Sequence, residues 1–300
     1  MINGGWSFVP HFKYIIPKAE KVFGALSNIL PNLKGPEEKV KILYSNVIHS
    51  VLLYGAPIWA GEVTKNAHIK RDIYRLQKKI CLRICCGYRT VSFVAALLLA
   101  RGIPLDLMAF ALQQMYVQVK NLDRVGAGME HTSKVRLCIQ AKREARDRWR
   151  EKLTTAIMDR RGTSGTRTSL AVLPHFADWY SRREGHTTCH CTQILLEHGC
   201  FKAYLFKIRR ADSPNCEHCS EEQDTAQHTL EFCPAWEQER AELRGELECD
   251  EDLDLTEVVR RILEDIRKWR AFNKFCSNVP QDDRTPRTAR LPHGSSDDSR

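Results

Sequence analysis

Residues 212–236 read DSPNCEHCSEEQDTAQHTLEFCPAW, and they place three cysteines and a histidine in a metal-ligand spacing. Two residues separate Cys216 from Cys219, eight lie before His228, and four more lie before Cys233. Two cysteines on a tight turn, followed by a histidine and a cysteine about one helical turn apart, can surround zinc with a tetrahedron of sulfur and nitrogen. Because protein side chains would fill all four positions, the spacing predicts a structural zinc site without an open position for catalysis.

The residues around the four ligands favour the local structure that such a site needs. Pro214 and Asn215 favour a turn before the first cysteine pair. Residues 224–232 are predicted to form a short helix that presents His228 toward Cys233. His218, inside the first loop, is a competing ligand, and a chance arrangement in a cysteine-rich chain is the alternative to a metal site.

A second group of cysteines and histidines lies upstream. It consists of Cys189, His190, Cys191, His198 and Cys200. A one-residue gap between cysteines rarely suits a tetrahedral site, and the apolar neighbours of Cys200 indicate a core position. We therefore expect one metal site in the chain, not two.

Composition limits the class of protein. The 300 residues suffice for one large or two small domains, and the formal net charge of +9 favours nucleic acid or another polyanion as partner. Twelve cysteines in a long chain without a secretory signal peptide indicate a reducing intracellular compartment. The longest apolar run, residues 91–100, is too short for a membrane span, so we expect no membrane partner.

The first part of the chain has a helical period over residues 11–30, 36–54 and 65–85. On the second of these helices one face carries apolar side chains that we expect to be buried: Val40, Leu43, Val47, Val51 and Tyr54. Ser92 is placed to cap a further helix that ends before Gly102.

The helix predicted over residues 65–85 has a second, basic face. Its cations recur every fourth residue and have one further neighbour: Arg71, Arg75, Lys79 and Arg83, with Lys78 beside them. Such a row could follow a phosphate backbone, and it fits a solvated helix surface equally well.

A strongly basic helix is predicted after the glycines at 126 and 128, over residues 133–161. Its candidate phosphate contacts are Arg143, Arg146 and Arg150. Because it lacks a full apolar stripe, it is either an exposed arm along a polyanion or a bridge between domains. Short helices follow around residues 174–183 and 188–206, and two further helices are expected over 235–249, which is mostly acidic, and over 255–275.

Several motifs together resemble one family. They are LLYGAPIWA at 52–60, YRTVS at 88–92, GIPLDL at 102–107, LEHGCF at 196–201, and DSP at 212–214 with the metal spacing that ends in Cys233-Pro234. In this order they resemble arthropod non-long-terminal-repeat retrotransposon reverse transcriptases, of the type-one clade that inserts into ribosomal RNA genes. The resemblance covers most of residues 7–240.

The resemblance implies a mainly α-helical, multi-part chain. Residues 1–125 would be a thumb-like helical bundle that grips template and primer, and 170–276 a C-terminal module with a CCHC zinc knuckle. The composition itself predicts a basic connector over 126–169 and a disordered tail over 277–300. The resemblance also implies RNA or DNA as partner, a nuclear location, and phosphate contacts by the basic row at residues 71–83.

The catalytic palm of that family has no counterpart here. The family holds two magnesium ions on palm aspartates, so Mg²⁺ belongs only to the missing palm. The acidic pairs at 282–283 and 297–298 lie in the predicted tail and are expected to be solvated. This chain alone should therefore not polymerise, although an upstream palm in a longer polyprotein would make it the end of an active enzyme. The alternatives are a helical protein-interaction module that uses the helices after Ala235, and a non-functional remnant.

Overall fold

The computed structural model describes residues 7–29, 38–124, 130–159, 166–219, 222–250 and 252–279. Over these ranges the chain is mainly α-helical and contains no β-strand, which confirms the predicted fold class. The helices are α1 (Val9–Ile29), α2 (Glu38–Leu52), α3 (Ala56–Lys65), α4 (Ala67–Ile84), α5 (Phe93–Leu99), α6 (Leu105–Arg124), α7 (His131–Met158), α8 (Thr166–Val172), α9 (Phe176–Ser181), α10 (Cys189–Leu196), α11 (Lys202–Lys207), α12 (Glu237–Leu247), α13 (Leu255–Ile262) and α14 (Ile266–Asn278).

Side-chain caps define where several helices begin. The Ser92 hydroxyl accepts a hydrogen bond from the backbone N–H of Ala95 at 3.1 Å, as predicted for the start of α5. Asn66 caps α4 in the same way, and Thr188 caps α10. Each cap satisfies a backbone N–H that the helix itself leaves unpaired.

Helix α2 buries the face opposite to the one predicted. Its buried residues are Glu38, Lys41, Ser45, Ile48 and Leu52. The apolar stripe is exposed instead, with Leu43 63 % and Val47 46 % accessible to solvent. The prediction was wrong because the polar side chains find distant partners: Lys41 Nζ donates to the Cys86 sulfur at 3.1 Å. Local periodicity contains no information about such partners.

The predicted helix over residues 255–275 is two helices, α13 and α14. Asp265 lies between them in an extended conformation, and its carboxylate accepts from the backbone N–H of Arg267 at 2.8 Å. A new N-cap therefore starts at the point where the apolar period alone suggested continuity.

Helix α7 is not an isolated arm. It packs along α6, which also packs against α3. A narrow stripe of α7 is buried, namely Ala141, Ala145, Trp149 and Leu153. Trp149 donates its indole N–H to the Tyr180 hydroxyl at 3.0 Å, and this bond ties α7 to α9. The packing favours the bridge over the exposed arm.

The helices after α7 share a hydrophobic core with those before it. Trp179 is fully buried and donates its indole N–H to the Leu98 carbonyl at 2.8 Å. The Thr192 hydroxyl, on α10, donates to the Cys85 carbonyl at the end of α4 at 2.5 Å. The domain boundaries stay a prediction. Both of these contacts cross the boundaries predicted after residues 125 and 169.

None of the helices that the structure describes combines the length and the apolar character needed to cross a membrane. The breaks predicted at Gly126 and Gly128 lie outside the described residues. Of the disordered tail predicted over 277–300, only residues 277–279 are described, and there the prediction was wrong, because α14 continues to Asn278.

Candidate metal centre

A backbone loop holds the first cysteine pair. The N–H of Cys216 donates to the Glu222 carbonyl at 2.8 Å, and the N–H of Asp224 donates to the Pro214 carbonyl at 2.9 Å. Asn215 and Gln223 thereby form an isolated antiparallel bridge. These bonds close the turn that the sequence predicted and direct the Cys216 sulfur inward.

The second pair lies on a wide helical turn, not on the longer regular helix predicted for residues 224–232. Residues 228–232 form a π-helical turn, in which the N–H of Cys233 donates to the His228 carbonyl at 2.8 Å. The Thr225 hydroxyl accepts from the N–H of His228 at 3.0 Å and starts the turn. Because a π turn spans one residue more than an α turn, it brings positions five apart together.

The four predicted ligands converge. The three cysteine sulfurs and a ring nitrogen of His228 all lie within 4.8 Å of one another. The Cys216 and Cys233 sulfurs are 3.8 Å apart, and the Cys219 sulfur is 3.3 Å from Nε2 of His228. Four donors of this type at these separations can hold a metal ion.

The electrostatics of the cluster favour a cation. Burial, reinforced by the nearby thiols of Cys216 and Cys219, raises the pKa of the Cys233 thiol to about 12. A cation at the centre would remove this penalty, because a coordinating thiol is held as thiolate. Nδ1 of His228 lies 3.3 Å from a carboxylate oxygen of Glu222, so the second ring nitrogen faces an acid, as is common for metal-bound histidines.

His218, the competing ligand, lies elsewhere. Its ring packs edge-on against Trp236, with centroids 5.0 Å apart. The cluster of possible metal ligands found in the described part of the chain contains His228 and does not contain His218.

The upstream cysteine and histidine group does not gather into a site. The Cys189 sulfur faces the Cys86 carbonyl at 3.9 Å, and Cys191 is buried beside Cys276. His198 stacks on Tyr204, with ring centroids 4.5 Å apart. These side chains serve the packing between α4, α10 and α14.

Arg240 supports the centre, and the sequence analysis missed it. This arginine is 1 % exposed and donates to the Cys233 carbonyl and, at 2.5 Å, to Glu237. Six residues lie between it and the last ligand, and no motif marks that spacing. Its guanidinium fixes the end of the π turn that carries two of the ligands.

The basic row of α4 is largely paired within the chain. Arg75 contacts Asp72 at 3.2 Å, and Lys79 contacts Glu20 on α1 at 2.9 Å. Arg71 is exposed, bonds to His68 at 3.1 Å and approaches Asp72 at 3.9 Å. Burial lowers the pKa of Arg83 and of Lys78, neither of which is fully solvated.

The three arginines predicted on α7 differ in exposure. Arg143 and Arg150 are exposed, whereas the Arg146 guanidinium lies 5.8 Å from the centre of the Tyr180 ring and is half-buried. Arg146 is thus engaged in packing, and the other two point to solvent.

Fold and site together define a helical protein with a Cys3His cluster that can hold a metal ion. The chain is 24 % identical over 241 residues to a 115 kDa protein in the type-1 retrotransposable element R1DM of Drosophila melanogaster. The aligned region covers 78 % of this chain and 23 % of that protein. It is 26 % identical over 245 residues to the retrovirus-related Pol polyprotein from type-1 retrotransposable element R1 4 of Nasonia vitripennis, with 79 % of this chain and 58 % of that protein covered.

These similarities confirm the resemblance to proteins of arthropod R1-type retrotransposons. The chain spans about a quarter of one relative and somewhat more than half of the other. No family model and no solved structure matches it.

Proposed function

We propose that this chain is the thumb and zinc-knuckle part of a retrotransposon reverse transcriptase polyprotein, and that it binds RNA or DNA without a polymerase palm of its own. The observation that carries the proposal is the convergence of Cys216, Cys219, His228 and Cys233 on one point. The similarity to a retrotransposon Pol polyprotein supports it. Such a protein would act inside the cell, in the nucleus, where the target DNA lies.

The residues present fit zinc. Three thiolates and Nε2 of His228 are the donors that structural zinc sites use. Bound zinc would neutralise the thiolates and hold the loop at residues 215–223 against the π turn at 228–232. The four protein donors leave no open position, so the ion would supply structure and not Lewis-acid catalysis. Magnesium would belong to a palm outside this chain.

Nucleic-acid binding would be electrostatic. The chain has a formal net charge of +9, and Arg143 and Arg150 on α7 are exposed without an ion pair in the described part of the chain. Phosphate contacts of this kind release counterions, so affinity should fall steeply with salt. They position a nucleic acid and carry little sequence selectivity.

The experiment is a titration of the zinc-loaded chain into labelled RNA and DNA at about 50 mM and 200 mM salt. We expect binding at low salt that weakens at least about tenfold at the higher concentration. Arg143→Gln with Arg150→Gln should weaken binding, and the control Lys65→Gln should not, because Lys65 already pairs with Glu62 at 3.1 Å. Affinity that does not depend on salt would contradict the electrostatic mechanism.

The exposed apolar stripe of α2 suggests a second role for the thumb-like part. Val40, Leu43 and Val47 form one solvent-facing row, and exposed rows of this kind are typical of protein interfaces. The relatives are longer than this chain, so we propose that the row packs against the polymerase palm of a longer polyprotein. Leu43→Glu should weaken association with a separately produced palm and leave the folded state of this chain unchanged. Unaltered association would exclude this role.

A further inference from the structure

A second group of cations, separate from the basic row of α4, lies at the end of α11. Lys207, Arg209 and Arg210 are exposed. The hydrogen bonds and ion pairs of the described residues leave their side chains unpaired, in contrast to Arg75 and Lys79 on α4, which face Asp72 and Glu20.

Two further cations from the first part of the chain lie beside this group. The His198 ring lies 4.5 Å from the Tyr204 ring of α11, measured between centroids. Burial lowers the pKa of His198, and the charges of Lys207 and Lys78 lower it further, so both cations lie within electrostatic range of this imidazole. The Thr90 hydroxyl, next to exposed Arg89, is 2.6 Å from the Tyr204 hydroxyl of α11. Arg89 therefore belongs to a segment that contacts α11, and Lys78 lies within electrostatic range of the same histidine as Lys207.

The turn that carries the arginines is ordered. The N–H of Arg210 donates to the Leu205 carbonyl at 2.7 Å, and the N–H of Arg209 donates to the Phe206 carbonyl at 2.9 Å. Arg209 has a φ of 59°, in the left-handed region that favours glycine. These bonds hold the charges in place, and they also mean that glycine at position 209 is compatible with the fold.

An exposed aromatic ring lies among the cations. Phe206 is 47 % exposed and immediately precedes Lys207. Cations that follow a backbone, combined with an aromatic ring on which a base can stack, are typical of sites for single-stranded nucleic acid. In a duplex the base faces are already stacked, so this ring would have no base to contact.

Hydrogen bonds connect this surface to the candidate metal centre. The Asp224 carboxylate accepts from the N–H of Lys202, the first residue of α11, at 2.8 Å. The Asp224 carbonyl also accepts from the N–H of Ala203 at 3.1 Å. Asp224 follows directly on the loop that carries the first cysteine pair, so the centre and the start of α11 form one unit.

We propose that Lys78, Arg89, Phe206, Lys207, Arg209 and Arg210, here named the α4–α11 surface, bind single-stranded nucleic acid. The cations contact phosphates and Phe206 stacks on a base. This inference rests on the proposed nucleic-acid function and deepens it, because it names the surface and the form of the ligand.

The test measures binding of the zinc-loaded chain to a short labelled single strand and to the duplex of the same sequence. The variant combines Lys207→Gln, Arg209→Gly and Arg210→Gln. The matched control combines Arg71→Gln, Arg75→Gln and Lys79→Gln, which removes the same charge from the paired row of α4. We expect the α11 variant to lose at least about tenfold in single-strand affinity and about two units of salt slope, and the control to lose clearly less.

The outcomes separate the two proposals. If the unaltered chain binds no nucleic acid, both proposals fail. If it binds and the two triple variants lose affinity equally, only the α4–α11 surface is overturned. Phe206→Leu should weaken binding to the single strand more than to the duplex, and an equal loss for both ligands would overturn the single-strand assignment. Arg209→Gly alone should retain the melting temperature, which excludes misfolding as the cause of its lost affinity.

Discussion

Nη2 of Arg101 donates to a carboxylate oxygen of Glu38 across 2.9 Å, and the two side chains are only 17 % and 4 % exposed. The other oxygen of Glu38 accepts from the backbone N–H of Thr187 at 3.1 Å. Nη2 of Arg182 lies 3.6 Å from the oxygen that Arg101 contacts. One buried carboxylate thus joins the start of α2 to the end of α5 and to the segment between α9 and α10. Removing one member of a buried charge group leaves the others without compensation.

Glu38→Ala should therefore destabilise the fold strongly. It leaves the guanidinium groups of Arg101 and Arg182 buried without their acid, and we expect a loss of about 3–5 kcal/mol in the free energy of unfolding. Urea denaturation measures this loss. The control is Glu62→Ala, whose exposed pair with Lys65 should be worth less than about 1 kcal/mol. Equal losses for the two variants would show that the Glu38 group does not couple these segments.

The protonation of His49 should lower the free energy of unfolding in mild acid. Burial lowers its pKa to about 4, whereas the unfolded chain should titrate near the ordinary value of about 6.5. Between these values the unfolded state binds more protons than the folded state, so stability falls as the pH falls through this window. From pH 7 to pH 5 we expect His49 alone to cost roughly 2 kcal/mol.

The variant His49→Leu isolates this effect, because Nε2 of His49 is buried without a hydrogen-bond partner in the described structure. Denaturation at both pH values should show a smaller acid loss for the variant than for the unaltered chain. An identical pH dependence would mean that His49 titrates normally in the folded state.

Asp224 should stabilise the start of α11. Its carboxylate accepts from the N–H of Lys202 at 2.8 Å, and Asp224→Ala should cost about 1–2 kcal/mol. Asp224→Asn keeps an oxygen acceptor and should cost less. Burial raises the pKa of this carboxyl, so a neutral amide is a fair replacement. Amide hydrogen exchange across α11 should become faster in the alanine variant only. Faster exchange in both variants would mean that Asp224 stabilises α11 through its charge, not through its hydrogen bond.

Removing the metal should open the centre locally. The amides of Cys216, Asp224 and Cys233 donate to backbone carbonyls inside the loop and the π turn, and these bonds depend on the arrangement of the ligands. After treatment with a chelator we expect their hydrogen exchange to accelerate by at least about tenfold. The amide of Ala96 in α5 is the control and should keep its protection. Unchanged exchange at all four amides would mean that no metal stabilises this region.

The cluster of possible metal ligands and many helix boundaries were predictable because their signals are local. A two-residue cysteine gap, the cap at Ser92 and the apolar period of α4 depend only on neighbouring residues. The π turn at 228–232 was not predictable, since its geometry depends on Arg240 and on packing. Asp265 is a cap signal inside an apolar period, and its hydrogen bond to the N–H of Arg267 starts a new helix where the period alone predicts continuity.

The buried face of α2 was predicted wrongly because it depends on partners that are distant in the sequence. The apolar stripe of α2 predicted a buried face, but Glu38 and Lys41 are drawn inward by Arg101 and Cys86, far away in the sequence. The surface at the end of α11 was missed for the same reason. Only the fold brings the segment of Arg89 and Thr90 into contact with α11.

The metal content of the purified chain decides whether the Cys3His cluster is a zinc site, and elemental mass spectrometry measures it. We expect about one zinc ion per chain, and none in the variants Cys216→Ser and Cys233→Ser. Cys138→Ser, on α7 and outside the cluster, is the matched control and should retain the zinc. A chain without zinc, or a Cys233→Ser variant that keeps a full complement, would contradict the proposed metal centre.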